Sequence, residues 1–197
     1  MITVFQRSFE APAFDMCEML RYANCNDCKE EFRLPIRETV DLAKNVFSYK
    51  VCYAVMPFSC YRDICDFDAF KVRSEKLAKN LSGCRSVLLF GATVGIEIDR
   101  LIAKYSRISP TKALLLQAYG AERIEALCNE FCKCYESENS VGLRPRFSAG
   151  YGDCPLETQK DIFSLLECSR RIGLTLNDSC LMSPTKSVTA FAGIKEK

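Results

Sequence analysis

The segment formed by residues 86–95, SVLLFGATVG, constrains the fold more than any other part of the chain. Its residues are continuously apolar from Val87 to Phe90, so both faces of an extended chain here would be apolar. A strand of this kind has to be covered on both faces, which predicts the central strand of a sheet. We expect the strand to end near Phe90 and the chain to turn between Gly91 and Gly95 before a helix.

Composition allows a substantial core and excludes some classes of partner. The 197 residues are 48% hydrophobic, and 27 basic residues nearly balance 25 acidic ones, for a net charge of +2. This balance argues against a nucleic-acid surface and against an electrostatic membrane anchor. No apolar run approaches the roughly 20 residues of a membrane helix, and Arg7 and Glu10 interrupt any signal-peptide core. We expect a cytoplasmic protein that binds neither nucleic acid nor membrane.

Helical spacing and strand patterns alternate along the chain without repeats or linkers. Helices are predicted over residues 11–23, 37–49, 75–83, 96–106, 111–136 and 156–172. Strands are predicted over residues 51–58, 66–72 and 86–90, with two short strands around the turn 183–187 and a loop over 24–35. A single α+β domain spanning residues 1–197 accounts for this order.

The chain contains no histidine, which excludes Ser-His and Cys-His nucleophilic pairs and histidine-ligated metals. It contains 13 cysteines, which we interpret mainly as reduced core residues. Cys25 and Cys28 form one CxxC, but a structural zinc site needs a second pair at suitable spacing, so no metal site is predicted. Any chemistry is therefore expected to come from a cofactor or a partner.

Two further features have a structural and a functional interpretation. The turn GATVG at residues 91–95 could present backbone amides to an anion, although two glycines in a strand-to-helix turn explain it more simply. Glu125 borders the apolar stripe of the long helix, either as a solvated edge residue or as a buried partner for a cation. The residues themselves favour the structural interpretation of both features.

The stretch at residues 144–153, RPRFSAGYGD, has the richest chemistry. A guanidinium can bind a carboxylate with two parallel hydrogen bonds, Gly150 permits close backbone approach, and Tyr151 offers a ring and a hydroxyl. A surface loop that caps the following helix is an equally good explanation of the same residues.

The motif Arg146-Phe147-Ser148-Ala149-Gly150-Tyr151 resembles the R-x-x-x-G-Y signature of the activation domain of cobalamin-dependent methionine synthase. Further segments are similar to that family in the same order along most of the chain: EMLRY (18–22), LFGATVGIEIDRLIAKYS (89–106), IEALCNEF (124–131), GDCPLETQ (152–159) and LNDSCLMSPTKSVTAFAG (176–193). The chain looks like a compact, free-standing version of this domain. The resemblance implies a twisted antiparallel sheet flanked by helices.

The resemblance also implies a function. A domain of this family binds S-adenosylmethionine and supports the reductive methylation of cobalamin carried by a methionine synthase, with an electron from flavodoxin or ferredoxin. The chain would be an accessory component, with no catalytic side chain of its own, whose methyltransferase chemistry is completed in the complex. The alternative is an S-adenosylmethionine-binding or scaffold module that serves another corrinoid protein without methyl transfer.

By the same resemblance, Arg146 binds the ligand's carboxylate and Glu125 faces its positively charged part. Ser148, Ala149 and Gly150 line the adenosine or methionine portion, and Tyr151 packs beside it. The family also has an N-terminal acidic contact, for which Asp15 and Asp27 are the candidates.

Overall fold

The structure is a computed structural model that describes residues 2–25 and 30–195. Within them the helices are α1 (Met16–Tyr22), α2 (Glu30–Ala43), α3 (Glu75–Asn80), α4 (Glu97–Ser106), α5 (Pro110–Asn139), α6 (Thr158–Leu166) and α7 (Cys168–Ile172). The strands are β1 (Phe5–Phe9), β2 (Tyr49–Pro57), β3 (Ser59–Tyr61), β4 (Ile64–Asp66), β5 (Lys71–Arg73), β6 (Ser86–Thr93), β7 (Gly142–Leu143), β8 (Thr175–Leu176), β9 (Met182–Ser183) and β10 (Ser187–Lys195). No helix in these ranges is both long and apolar enough to cross a membrane.

The main sheet has five antiparallel strands in the order β1-β2-β6-β10-β7. β6 occupies the centre, between β2 and β10, as its apolar sequence predicts. The predicted fold class is confirmed: the architecture is α+β, with a curled antiparallel sheet and helices. Two small sheets, β3-β4-β5 and β8-β9, accompany the main one.

β6 runs on to Thr93, so the predicted end near Phe90 is wrong. Gly91 lies in the ladder opposite Cys52 and Thr189. A Cβ on Gly91 would stand 3.2 Å from the Sγ of Cys168 on α7. The missing side chain of Gly91 therefore allows α7 to pack close to the strand. The chain turns only after Thr93.

Each face of the main sheet carries its own core because successive side chains of a strand point to opposite faces. On β6, Leu88 and Phe90 belong to the first core, whereas Val87 and Leu89 belong to the second. α1, α2, α4 and α5 cover the first core. α3, α6, α7 and the sheet β3-β4-β5 contribute to the second.

Several further predicted boundaries are wrong because tertiary packing overrides the local pattern; the helix predicted from residue 11, for example, begins at Met16. α2 begins within the predicted loop and contains Pro35, because Ile36 packs in the first core. It ends at Ala43, before the predicted end at residue 49, because Tyr49 belongs to β2 and pairs with β1. Residues 26–29 of that loop lie outside the described part of the chain. Further differences concern residues 66–72 and 156–172 and the strands around the turn 183–187.

The predicted strand 66–72 is two strands, β4 and β5, joined by a turn in which Asp68 has φ of 67°. The predicted helix 156–172 is divided into α6 and α7 at Glu167, whose φ of 51° lets α7 turn onto the sheet. The predicted turn 183–187 joins β9 to β10, but only β9 is short. β10 extends over nine residues, and the two strands pair with β8 and β6 respectively.

Phe131 of α5 is the centre of the first core, and its removal tests the packing. Its ring lies 5.1 Å from both Phe90 and Tyr53 by centroid distance, and the residue is 1% exposed. We expect Phe131→Ala to lower the free energy of unfolding by about 3–5 kcal/mol, from lost burial and a residual cavity. Chemical denaturation measures this. Leu114→Ala, at an exposed position of the same helix, is the control and should change stability by less than about 0.5 kcal/mol.

Candidate functional site

Residues 144–154 follow the edge of the main sheet between β7 and α6. Phe147 exchanges two backbone hydrogen bonds with Phe191 of β10, at 2.9 and 2.8 Å, and its ring is buried in the second core. Because neighbouring side chains of an extended chain alternate, Arg146 leaves this segment on the other side of the sheet. That is the side on which α5 lies.

Beyond Phe147 the backbone forms a tight turn that lies over buried side chains of the second core. The Tyr151 N–H donates to the Ser148 carbonyl over 3.2 Å. Ala149 is buried in the second core, whereas Ser148 is half-buried. The Tyr151 ring is 66% exposed and meets Phe147 edge-on, with 5.4 Å between centroids. The turn thus presents polar backbone and one aromatic ring to solvent.

Gly150 is required by the geometry of this turn. Its φ is +84°, in the left-handed region that residues with a side chain rarely adopt. A Cβ here would also lie 2.9 Å from Cδ1 of Leu156. The Gly150 N–H donates to the Cys154 carbonyl at 3.1 Å, which closes the loop.

Asp153 ties the turn to the start of α3. Its carboxylate accepts hydrogen bonds from the Ser74 hydroxyl (2.6 Å), the Glu75 N–H (2.7 Å) and the Lys76 N–H (3.3 Å). The hydrogen bond from Ser74, supported by these backbone donors, lowers the pKa of the Asp153 carboxyl. Asp153 therefore positions the turn.

An ion pair joins Arg146 to α5. Its Nη2 donates to Oε2 of Glu125 over 2.7 Å, and both side chains are partly exposed. The Nη1 of Arg146 is buried and has no acceptor among the described residues. A buried donor without an acceptor is unfavourable, so a ligand that supplies an acceptor here would be stabilising.

A second acid–base pair, Glu122 with Arg123, holds the N-terminal segment against α5. Both side chains are almost completely buried. Arg123 donates to the carbonyls of Pro12 (2.7 Å) and Ala13 (2.9 Å), and Glu122 accepts from the Asp15 N–H (3.1 Å). This pair therefore brings the segment before α1 to the same face of α5 as Glu125.

Two adjoining grooves of opposite charge meet at this part of α5. The acidic groove, about 610 Å³, is lined by carboxylates from α1, α5 and the segment before α1: Asp15, Glu18, Glu122, Glu125 and Glu130. The basic groove, about 650 Å³, is lined by Lys133, Arg144, Arg146 and Lys195. Asn129 and Lys133 line both grooves, and the Arg146–Glu125 pair joins one to the other.

The structure thus brings Glu125 and Arg146 into contact and puts Ser148, Ala149, Gly150 and Tyr151 on the adjoining turn. Asp15 lines the acidic groove, although its carboxylate also caps α1 by accepting from Cys17 and Glu18. Asp27 and Cys28 lie outside the described residues. Sequence reasoning missed the pair Glu122–Arg123. A signal existed, because Arg123 occupies the helical spacing of the buried residues Leu116, Tyr119 and Leu127.

Two amides of the turn after β6 are already bonded within the protein. The Val94 N–H donates to the Lys186 carbonyl (3.2 Å), and the Gly95 N–H donates to Oγ1 of Thr93 (3.2 Å). This agrees with the simpler interpretation of GATVG. Of the twelve cysteines in the described ranges, all free, six are buried, and no group of metal-binding side chains in those ranges could hold an ion.

Substitution of Gly150 tests the left-handed turn. We expect Gly150→Ala to lower the free energy of unfolding by about 1–2 kcal/mol, because a Cβ is disfavoured at this φ. Urea denaturation measures the change. Gly142→Ala is the control: its added Cβ would meet nothing nearer than 3.8 Å. Equal effects at both positions would contradict the assignment.

The Asp153 tether has a pH signature. A depressed folded-state pKa means that the carboxylate stabilises the fold above its unfolded pKa of about 3.9, and that this contribution disappears as pH falls through the lower folded value. We expect Asp153→Asn to lower the Tm near pH 7, and the difference from the unsubstituted protein to shrink as the pH falls below the unfolded pKa of about 3.9. A Tm difference that stays constant with pH would argue against the tether.

Comparison with known proteins agrees with these features. A family model described as "Vitamin B12 dependent methionine synthase, activation domain" matches residues 133–197, which include the turn and β10. A crystal structure of the MetH reactivation domain bound to AdoHcy superimposes with a TM-score of 0.73 over 98% of this chain and 78% of that chain, at 14% identity. The matching family model and the shared fold together confirm that the chain resembles the activation domain family of vitamin B12-dependent methionine synthase.

Proposed function

We propose that the chain binds S-adenosylmethionine where the turn 146–151 meets α5, and that it supports reductive methylation of the cobalamin of a methionine synthase. The observation that carries the proposal is the Arg146–Glu125 ion pair beside the Gly150 turn. The family model that matches residues 133–197 and the AdoHcy ligand of the structural relative support the same choice of ligand.

The charges of the site suit the amino-acid end of this ligand. S-adenosylmethionine carries a carboxylate, an ammonium and a sulfonium, so it presents one negative and two positive groups. Arg146 would bind the carboxylate, with its unpartnered Nη1 gaining an acceptor. Glu125, released from its partner, would face a positive group from the edge of the acidic groove.

The turn would hold the rest of the ligand. The left-handed φ of Gly150 sets the shape of the turn on which the ligand would rest. The backbone of Ser148 and Ala149 would line the adenosine or methionine portion. Tyr151, whose ring is largely exposed, has a face available for stacking.

Catalysis in this proposal is positioning. The reduced cobalamin of the partner accepts the methyl group from the sulfonium, leaving S-adenosylhomocysteine, and flavodoxin or ferredoxin supplies the electron. The chain contributes no proton transfer to this step, which is consistent with a protein that lacks histidine. Its own residues bind the donor, orient it and fix the turn that carries it.

A second candidate function keeps the ligand but not the reaction. In it the chain binds S-adenosylmethionine as a module for another corrinoid protein. The exposed Tyr151 and the open grooves are compatible with either partner. Methyl transfer to cob(II)alamin-loaded methionine synthase under a one-electron reductant separates the two, because only the first candidate predicts methylcobalamin and S-adenosylhomocysteine in equal amounts.

Calorimetric titration with S-adenosylmethionine tests the proposed site. We expect Arg146→Ala to weaken binding by about 1.5–3 kcal/mol, one to two decades in Kd, because a charge-assisted contact is lost. Glu125→Gln should reduce the preference for S-adenosylmethionine over S-adenosylhomocysteine, since the two ligands differ by the sulfonium charge.

Arg100→Ala provides the matched control. Arg100 forms an ion pair with Glu97 at 2.5 Å on the surface of α4 and lines neither groove. This variant should bind as the unsubstituted protein does. Equal affinity in a folded Arg146→Ala protein would contradict the role of Arg146 and with it the proposed site.

A further inference from the structure

Two thiols face each other across the hairpin formed by β3 and β4. Cys60 and Cys65 are direct partners in the antiparallel register of these strands, which are joined by a turn at residues 62–63. Tyr61 and Ile64 flank the turn as its hydrogen-bonded pair, so Cys60 and Cys65 form the next, non-hydrogen-bonded pair. The Cα atoms of such a pair stand about 4.5 Å apart, within the range of roughly 4.4–6.8 Å that a disulfide spans. Because directly opposed side chains share one face of a sheet, this register allows the two sulfurs to bond.

The two thiols differ in exposure because their strands occupy different places in the small sheet. β3 lies at the edge and β4 at the centre of the order β3-β4-β5, so Cys60 is exposed whereas Cys65 is 0% exposed and belongs to the second core. The Sγ of Cys60 donates to the Arg62 carbonyl over 3.2 Å, which holds this thiol beside the turn. Burial, and after it the nearby Cys60 sulfur, raises the pKa of Cys65 to about 12. The pair therefore combines one sulfur that solvent reaches with a sheltered, protonated one.

A groove beside β3 gives small molecules access to Cys60. Its volume is about 820 Å³, and its charged lining consists of Arg62, Lys79, Asp63 and Glu75. Two cations and two carboxylates balance, so the groove favours neither an anion nor a cation. This charge balance suits a small neutral reagent.

Other thiols of the second core lack this access. The Sγ atoms of Cys52 and Cys168 are 3.7 Å apart, but both residues are 0% exposed. Cys154 is near enough to Cys65 to contribute to its raised pKa, and it is only 4% exposed. Exposure therefore selects Cys60, rather than Cys154, as the neighbour of Cys65 that a reagent in solvent attacks.

We propose that Cys60 and Cys65 form a site of reversible thiol oxidation whose oxidant is a hydroperoxide. The Cys60 sulfur, after losing its proton, attacks hydrogen peroxide: an S–O bond forms, the O–O bond breaks, and the departing hydroxide takes up that proton to become water. The Cys65 sulfur then attacks the Cys60 sulfur, so that the S–S bond forms and the S–O bond breaks. The leaving hydroxide takes the Cys65 proton and departs as a second water. Two electrons pass from the two thiols to the peroxide, and a dithiol reductant reverses the reaction.

The site lies one strand away from the tether of the Gly150 turn. β5 pairs with β4 and leads directly to Ser74, whose hydroxyl donates to the Asp153 carboxylate over 2.6 Å. Oxidation would fasten β3 to β4 in the sheet that supports this tether. It would leave Arg146 and Glu125 unchanged, so the proposal does not depend on the ligand assigned to them.

Peptide mapping of the intact chain tests the proposal. The reduced protein is treated with equimolar hydrogen peroxide, alkylated in denaturant, digested with trypsin and measured by mass spectrometry without reduction. Cleavage after Lys50, Arg62 and Lys71 separates the two cysteines. We expect peptide 51–62 joined to peptide 63–71, with a mass two hydrogens below their sum, and its disappearance after dithiothreitol. Absence of a disulfide, or a main product that joins 63–71 to 147–160 or 51–62 to 161–170, would overturn the proposal.

Three variants separate the roles of the two thiols. Cys60→Ser should abolish the joined peptide, whereas an unchanged yield would mean that Cys52 is the partner and would contradict the proposal. Cys65→Ala should leave Cys60 as a sulfenic acid that dimedone traps, because the second thiol is gone. Should this buried substitution prevent folding, Cys60→Ser at its exposed position keeps the test decisive. Cys17→Ser, at an exposed cysteine of α1, is the matched control and should give the unsubstituted yield.

Discussion

Burial of both faces of β6 is the constraint on which the rest of the structure depends. Side chains that alternate along this strand create two cores, and each core has to be covered by a different set of elements. α5 is placed on one face and α6 and α7 on the other. The segment 144–154 then has to pass along the sheet edge between them.

The candidate site is a consequence of that passage. Phe147 is drawn into the second core and bonds to Phe191, so Arg146 emerges on the face of α5 and reaches Glu125. The same bridge fixes the start of the Gly150 turn, and Asp153 fixes its end. Hydrophobic burial thus sets the direction of a charged side chain.

The elements that pack against α5 place acidic side chains on one side of this helix and basic side chains on the other. The buried pair Glu122–Arg123 draws in the segment before α1, whose Asp15 adds to the carboxylates on one side. The sheet edge contributes Arg144 and Lys195 on the other side. A surface divided in this way has the charge separation that the proposed ligand requires.

Much of the fold could be predicted because the spacing of apolar residues along the chain indicates which side chains are buried. The central strand, the long helix α5 and the α+β class follow from apolar patterns that depend on local spacing, whereas the antiparallel sheet was expected from the family resemblance. The break at Glu167, the two strands around Asp68 and the short edge strand β1 could not be predicted, because distant partners impose them. Gly91 shows the difference well: its sequence context indicates a turn, whereas Cys168 on α7 needs the space of its missing side chain.

The sequence by itself determined the family resemblance, the central strand and the residue types of the site, because motifs and periodicity are local properties of the chain. Only the tertiary structure decided that Arg146 pairs with Glu125, that Asp153 is a tether, and that an acidic and a basic groove adjoin at α5. These facts join residues far apart in sequence, and their distances are fixed by the packing of two cores on one sheet. No local pattern contains that information.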